Sequence, residues 1–229
     1  METQTRKLVD KVLKKLQDLP SDKRFLIGIA GIPGSGKTTL ADVVAKAVNE
    51  AMDDPRIAQA ISMDGYHLTR KQLSAMPNAE EAHARRGAAF TFDVDAYLDL
   101  VTDLRKPPTK AIVAPTFDHR RKDPIPGDIY IGRENRVIIV EGNYVALNEP
   151  LWKDAKSLFD EVWFVEVDFE VARRRLRERH VRAGIVSTLE EGDKRALEND
   201  LVNGQEILDK RLPVDEVVQS KEDGQWVHE

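Results

Sequence analysis

The chain contains no cysteine. That excludes disulfides, thiolate-ligated metal sites and a cysteine nucleophile, and it fits a reducing compartment. No apolar run approaches the length needed to cross a bilayer. The opening stretch METQTRKLVDKVLKKLQDL lacks the apolar core of a signal peptide, and Glu2, Asp10 and Asp18 sit badly with a transit peptide. The expectation is a soluble, cytoplasmic protein with no membrane partner. Basic residues are not in excess either. With 35 Lys and Arg against 40 Asp and Glu, the net charge is −5, which argues against a general nucleic-acid partner.

What is present is organised around residues 25–48, FLIGIAGIPGSGKTTLADVVAKAV. Phe25 to Ala30 is an apolar run that reads as a buried strand. Beyond the turn, Leu40, Val43, Val44, Ala47 and Val48 recur with helical period. Strand, glycine loop and helix form the context that a G-x-x-x-x-G-K-[ST] phosphate loop requires. The bare pattern arises by chance in roughly one chain of this length per hundred, and the flanks lower that further. Gly31, Gly34, Ser35 and Gly36 would curl the backbone so that its N–H groups cradle phosphate, helped by the positive end of the helix dipole. Lys37 would reach the β- and γ-phosphates, Thr38 would ligate Mg²⁺, and Thr39 would complete the loop. The predicted ligand is a nucleoside triphosphate, with ATP and Mg²⁺ as cofactors.

Strands and helices alternate along the rest of the chain, which predicts an α/β fold with a mostly parallel central sheet and helices on both faces. The length of 229 residues suits a single domain, 1–229. Leu8, Val12, Leu16 and Leu19 predict a helix within residues 1–20 packed onto it. Ile57 to Met63 reads as a strand, and residues 68–92 as short helices and loops. Asp93 or Asp95 caps a helix through Leu104. Ala111–Ala114 and Ile129–Ile131 read as strands flanking a charged loop. Val137–Val140 and Val162–Val167 are buried strands, residues 188–211 one long helix, and Val214–Val218 a last strand.

Ligands in open α/β sheets gather beyond the carboxyl ends of the strands, where Asp64, Glu141 and Asp168 stand. Phosphoryl transfer to an alcohol needs a metal site and a carboxylate to accept the hydroxyl proton. Asp64 is the candidate base and a possible metal contact, and Glu141 the candidate Mg²⁺ ligand, direct or through water. Asp168 is better explained as a helix cap. Arg173, Arg174, Arg175, Arg177, Arg179 and Arg182 crowd ten residues, predicting a lid over 169–187. Arg173 and Arg177, four apart on one face, are the candidates for contacting the transferring phosphoryl. Candidate substrate contacts are Tyr66 and His67 beside Asp64, Tyr144 beside Glu141, Arg86, and His119 and Arg120 in the polar stretch Phe117–Pro124. His67 could instead stack within its loop. His83, His180 and His228 show no metal-ligand spacing and receive no role.

Taken in order, GIPGSGKTT, MDGYHL, RRGAAFTFD, PTFDHRRKDP and VEGNY resemble the phosphoribulokinase, uridine kinase and bacterial-type pantothenate kinase family. The resemblance spans roughly residues 24–212. It implies a P-loop kinase fold in which Asp64, with Tyr66, supplies the catalytic base, Glu141 assists Mg²⁺, and a basic lid closes over the phosphates. It implies an ATP-dependent kinase of a small-molecule hydroxyl substrate such as a sugar, nucleoside or vitamin. A homodimer is left open as a partner independently of the resemblance. RHVRAGIV followed by ENDLVNG resembles a less characterised branch labelled uridine kinase-like or fructokinase-like. The substrate motifs of true uridine kinases and of pantothenate kinases are not cleanly present.

Other classes are a nucleoside monophosphate kinase, a regulatory switch or ATPase, and a non-catalytic binding protein. Neither an Asn-Lys-x-Asp guanine motif nor a Leu-Ser-Gly-Gly-Gln-like signature occurs, and Lys37, Thr38 and Asp64 are all retained. For Asn199 and Asn203 two readings compete. In helical projection Leu197, Leu201, Leu208 and Leu212 form one stripe with the asparagines roughly opposite, predicting a solvent-facing polar side. The resemblance instead places the pair after the lid, where it would contact nucleotide or acceptor.

Overall fold

A computed structural model describes residues 2–118 and 120–221, the Glu2 side chain excepted. Its centre is β1 (Phe25–Gly31), buried along its whole length. A strand hidden on both faces must be apolar at every position, and FLIGIAG is. It is flanked by β5 (Val137–Gly142) and β6 (Glu161–Glu166), with β2 (Ala58–Ser62) outside β5 and β7 (Glu216–Gln219) outside β6. All four pairings are parallel. The α/β sheet predicted from sequence is therefore present, with β5 inserted between β1 and β2.

Successive side chains of these strands point to opposite faces, so each strand feeds two cores. Ile27, Ile29, Val137, Ile139 and Trp163 pack on one side with Leu40, Val44 and Val48 of α2 (Lys37–Met52) and Leu8 and Val12 of α1 (Glu2–Gln17). Leu26, Ile138, Val140 and Phe164 pack on the other with Tyr97, Leu100 and Leu104 of α5 (Val94–Arg105). The amphipathic stripe predicted near the N-terminus is thus buried against α2. Asp93 is the residue that caps α5, accepting from the N–H of Ala96 at 3.0 Å. Among the described residues, no helix is long and apolar enough to cross a membrane.

Two elements differ from expectation. β3 (Ile112–Asp118) and β4 (Asp123–Ile131) do not flank a long loop, but form an antiparallel hairpin apart from the main sheet. Phe117 pairs with Pro124 and Asp118 with Asp123, and the register shifts once between Ala114 and Thr116. Both of its faces are partly wet, which removes the apolar alternation that marks a strand. The second difference lies beyond α7 (Phe169–Arg182). The helix expected over 188–211 is α8 (Leu189–Arg195), then a π-turn over Ala196–Asp200, then α9 (Leu201–Asp209). A π-turn adds about one residue to a helical turn and so rotates the next segment of helix by roughly 100°. Short connecting helices are α3 (Arg70–Ser74), α4 (Ala79–Ala84) and α6 (Trp152–Lys156), with a 3₁₀ turn at Ala89–Thr91.

Candidate active site

The order of β2, β5 and β1 decides where the site lies. Ser62 is in register with Glu141, and Glu141 with Ile29, so three neighbouring strands end together. β1 runs into the glycine loop, whose Gly34 and Gly36 take positive φ of 78° and 95°. L side chains rarely adopt that geometry, which explains glycine at both positions. Gly36 sits at the N-terminus of α2, whose free N–H groups and dipole favour an anion. Ser35 Oγ is buried with no hydrogen-bond partner among the described residues, and Thr39 is buried behind it.

β2 runs into a 3₁₀ turn over Met63–Tyr66, in which Ser62 Oγ accepts from the N–H of Asp64 at 3.3 Å. This turn leaves the Asp64 carboxylate 41% exposed, open to a substrate. Glu141, at the end of β5, is buried instead. Burial and the nearby Asp64 push its pKa up, while Lys37 and hydrogen bonds donated by the Ser62 and Thr38 hydroxyls oppose the rise. Lys37 donates to the Ile32 carbonyl at 3.0 Å. Its pKa is lowered to about 8, first by burial; Glu141 and Asp64 partly restore it, and Arg179 lowers it further.

A cavity of about 550 Å³ opens over these groups. Its floor is Gly34, Lys37, Thr38, Asp64 and Glu141. One wall is His67, Arg86, Phe117 and Arg120, and the other carries Arg179, His180, Arg195 and Asp200. The oxygen donors of Thr38, Asp64 and Glu141 suit Mg²⁺, which keeps several waters and takes one or two protein carboxylates alongside substrate phosphates. Among the described residues no cluster of three or more His, Asp or Glu could by itself hold a metal.

Residues 26–186 match the model of the phosphoribulokinase/uridine kinase family. The chain belongs to that family. It is 50% identical over 159 residues to the ATP-dependent kinase-like protein notR' of Aspergillus versicolor, covering 68% of this chain and 92% of the relative. It is 43% identical over 185 residues to the Schizosaccharomyces pombe protein C227.14, by name a candidate uridine kinase, covering 81% and 78%. A solved structure from Silicibacter sp. TM1040, by name a candidate fructose transport system kinase, superposes with a TM-score of 0.82. That pair is 32% identical, covering 93% of this chain and 98% of the other. Membership in the phosphoribulokinase/uridine kinase family implies ATP-dependent phosphotransfer.

Several residues expected at the site lie elsewhere. Tyr66 is buried in the core with its ring edge-on to Tyr97 at 5.7 Å. Tyr144 is fully buried, and its hydroxyl donates to the Gly87 carbonyl at 2.7 Å. Arg173 points away from the cavity and donates twice to Asp193, at 2.8 and 2.7 Å. Arg177 lies beside Glu178 at 4.0 Å, and Arg182 is exposed. His119 lies outside the described residues.

Neither reading of Asn199 and Asn203 describes them. Both are buried, because the π-turn swings them inward and leaves Leu197 43% exposed. Nor do they line the cavity. Arg85 donates to Asn199 Oδ1 at 3.1 Å and to Asn203 Oδ1 at 2.6 Å, and Asn199 Nδ2 donates to the Arg86 carbonyl at 3.2 Å. The pair holds the 85–87 backbone from behind.

Arg179 and His180 reach the cavity without having been singled out. His180 is buried, with Nε2 2.8 Å from Asp200 Oδ2 and Nδ1 unpartnered among the described residues. A signal for Arg179 existed. Ala172 and Leu176 are the buried apolar residues of α7, and they pack on Gly34. The arginine three positions after each, Arg175 and Arg179, flanks that inward face. Arg175 donates to the Gly34 carbonyl at 3.2 Å and Arg179 lines the cavity.

Proposed function

We propose that the chain transfers the γ-phosphoryl group of Mg·ATP to a hydroxyl of a small metabolite. The observation carrying this reading is the convergence of Lys37, Thr38, Asp64 and Glu141 on one cavity of metabolite size. The loop N–H groups and Lys37 hold the β- and γ-phosphates, while Arg179 approaches from α7 to offset charge on the transferring group. Thr38, Glu141 and Asp64 would hold Mg²⁺, which would supply charge neutralisation for the transferring group. Asp64 accepts the proton of the acceptor hydroxyl as its oxygen bonds to the γ-phosphorus. The bond to the β,γ-bridging oxygen breaks, and ADP leaves with the electron pair.

Asp64 also favours an alcohol over a nucleoside monophosphate. The phosphate oxygen of a monophosphate is already deprotonated and offers that carboxylate no proton. The test is ADP release from Mg·ATP with alcohols and with nucleoside monophosphates, in wild type and Asp64→Asn. Alcohol-dependent release that falls about 10²–10⁴-fold in the variant is expected. Release with monophosphates alone, unaffected by the variant, would overturn the reading.

A further inference from the structure

The wall of the cavity beyond His67 carries more positive charge than its surroundings match. Arg70, Arg86, Arg120, Arg121 and Lys122 all line it. Among the described residues, besides Asp64 on the floor, Asp118 and Asp123 are the carboxylates placed against these cations, and both are partly engaged. Asp118 accepts from the backbone N–H groups of Arg120 and Arg121, at 2.8 and 3.0 Å, and lies 3.5 Å from the Arg121 side chain. Asp123 accepts from the Arg70 N–H at 2.7 Å and lies 3.5 Å from Arg86 Nη2. Even with Asp64 counted, five cations thus face three carboxylates among the described residues. This is separate from the triphosphate end, where Lys37 and Arg179 lie close enough to repel each other.

Arg86 is the built part of this wall. Its side chain is only 13% exposed, with the guanidinium 5.5 Å over the Phe117 ring. Nη2 donates to the Leu68 carbonyl at 2.8 Å, and Nε is buried with no partner among the described residues. A buried, incompletely satisfied guanidinium is costly unless a counter-charge meets it. Its backbone is pinned on both sides, by Asn199 at the Arg86 carbonyl and Tyr144 at the Gly87 carbonyl. The wall is also continuous with the base. His67 Nδ1 sits 2.8 Å from the Asp64 carbonyl and its ring stacks on Phe117 at 4.7 Å, and Phe117 carries Arg86.

We infer that the acceptor alcohol carries an anionic group, a phosphate monoester or a carboxylate, which seats on Arg86 and the cations of the hairpin tip while the hydroxyl faces Asp64. The inference rests on the phosphotransfer reading and adds the substrate class. A neutral sugar or nucleoside would leave the surplus charge of this wall unmatched. A planar guanidinium fork over an aromatic ring suits either oxyanion, because both present paired oxygens.

The test uses the full chain loaded with Mg·ADP and calorimetric titration of matched ligands at one ionic strength: a sugar, its monophosphate and its carboxylate counterpart. The anionic members should bind at least tenfold more tightly than the neutral sugar, and whichever of the two is tighter identifies the oxyanion. Arg86→Gln, and separately the exposed Arg120→Gln, should each weaken anion binding tenfold or more, with melting temperature recorded for both. Turnover of the bound anion with Mg·ATP should show the same loss in acceptor KM and little in the KM for ATP. Equal binding of neutral and anionic members, or anion binding unaltered by both variants, would overturn the inference. Failure of the wild-type chain to bind Mg·ATP at all would instead overturn the phosphotransfer reading.

Discussion

Arg85 donates a 2.6 Å hydrogen bond to Asn203, 118 positions away in the chain, and so ties the segment behind the cavity wall to the helix after the π-turn. Asn203 is 2% exposed. Asn203→Ala should lower unfolding stability by about 1–3 kcal/mol, the range for leaving a buried polar partner unmet. Because Arg86 is held through the same cluster, the acceptor KM should rise while the ATP KM stays level. Asn203→Asp keeps an oxygen for Arg85 and should recover most of both. Thermal denaturation and separate KM measurements check this.

Lys37 predicts a pH signature. Its pKa in the folded protein is about 8, below the usual 10.5, so between these values the unfolded chain holds more protons than the folded one. From this group, apo stability rises as pH rises from about 8 to 10.5. Nucleotide binding has the opposite sign, because the phosphates need the protonated amine. Mg·ATP affinity should fall as pH climbs through about 8, and binding there should take up a proton. Calorimetry in buffers of different ionisation enthalpy measures that uptake. Lys37→Ala should abolish it.

The arginines of α7 should separate by position. Arg179→Gln removes a cation facing the phosphates and should lower kcat by about 10²–10³-fold with little change in melting temperature. Arg173→Gln breaks the pair with Asp193 that joins α7 to α8, and should lower melting temperature with kcat nearly unchanged. Steady-state kinetics and thermal melts on both proteins decide it.

Glu141 predicts a conflict between stability and function. Its pKa is raised by burial, so ionising it costs apo stability as pH rises above the usual carboxylate value of 4.5. Glu141→Gln keeps an acceptor for Thr38 and Ser62 and removes the buried charge. The apo variant should melt higher near neutral pH. Its Mg²⁺ requirement for turnover should rise about 10–100-fold.

Much of the site is a local matter. The glycine loop, Lys37 and Thr38 are contiguous, and the apolar run before them and the periodic residues after them declare strand and helix without any long-range contact. Asp64 and Glu141 were legible for a similar reason, each being the first acid at the carboxyl end of an apolar run, and the parallel rule sends such ends to one edge. The facing of side chains could not be read on segments whose geometry depends on distant partners. The π-turn at Ala196–Asp200 rotates Asn199 and Asn203 inward, where Arg85 meets them, and no local periodicity encodes that rotation. Arg173 and Arg179 are chemically identical in the chain. Asp193 occupies the first and the cavity admits the second, because packing of α7 through Ala172 and Leu176 on Gly34 fixes which face turns inward. Composition and local spacing therefore determined the nucleotide loop and the strand-end acids, while tertiary packing alone decided which cations remain free to meet a ligand.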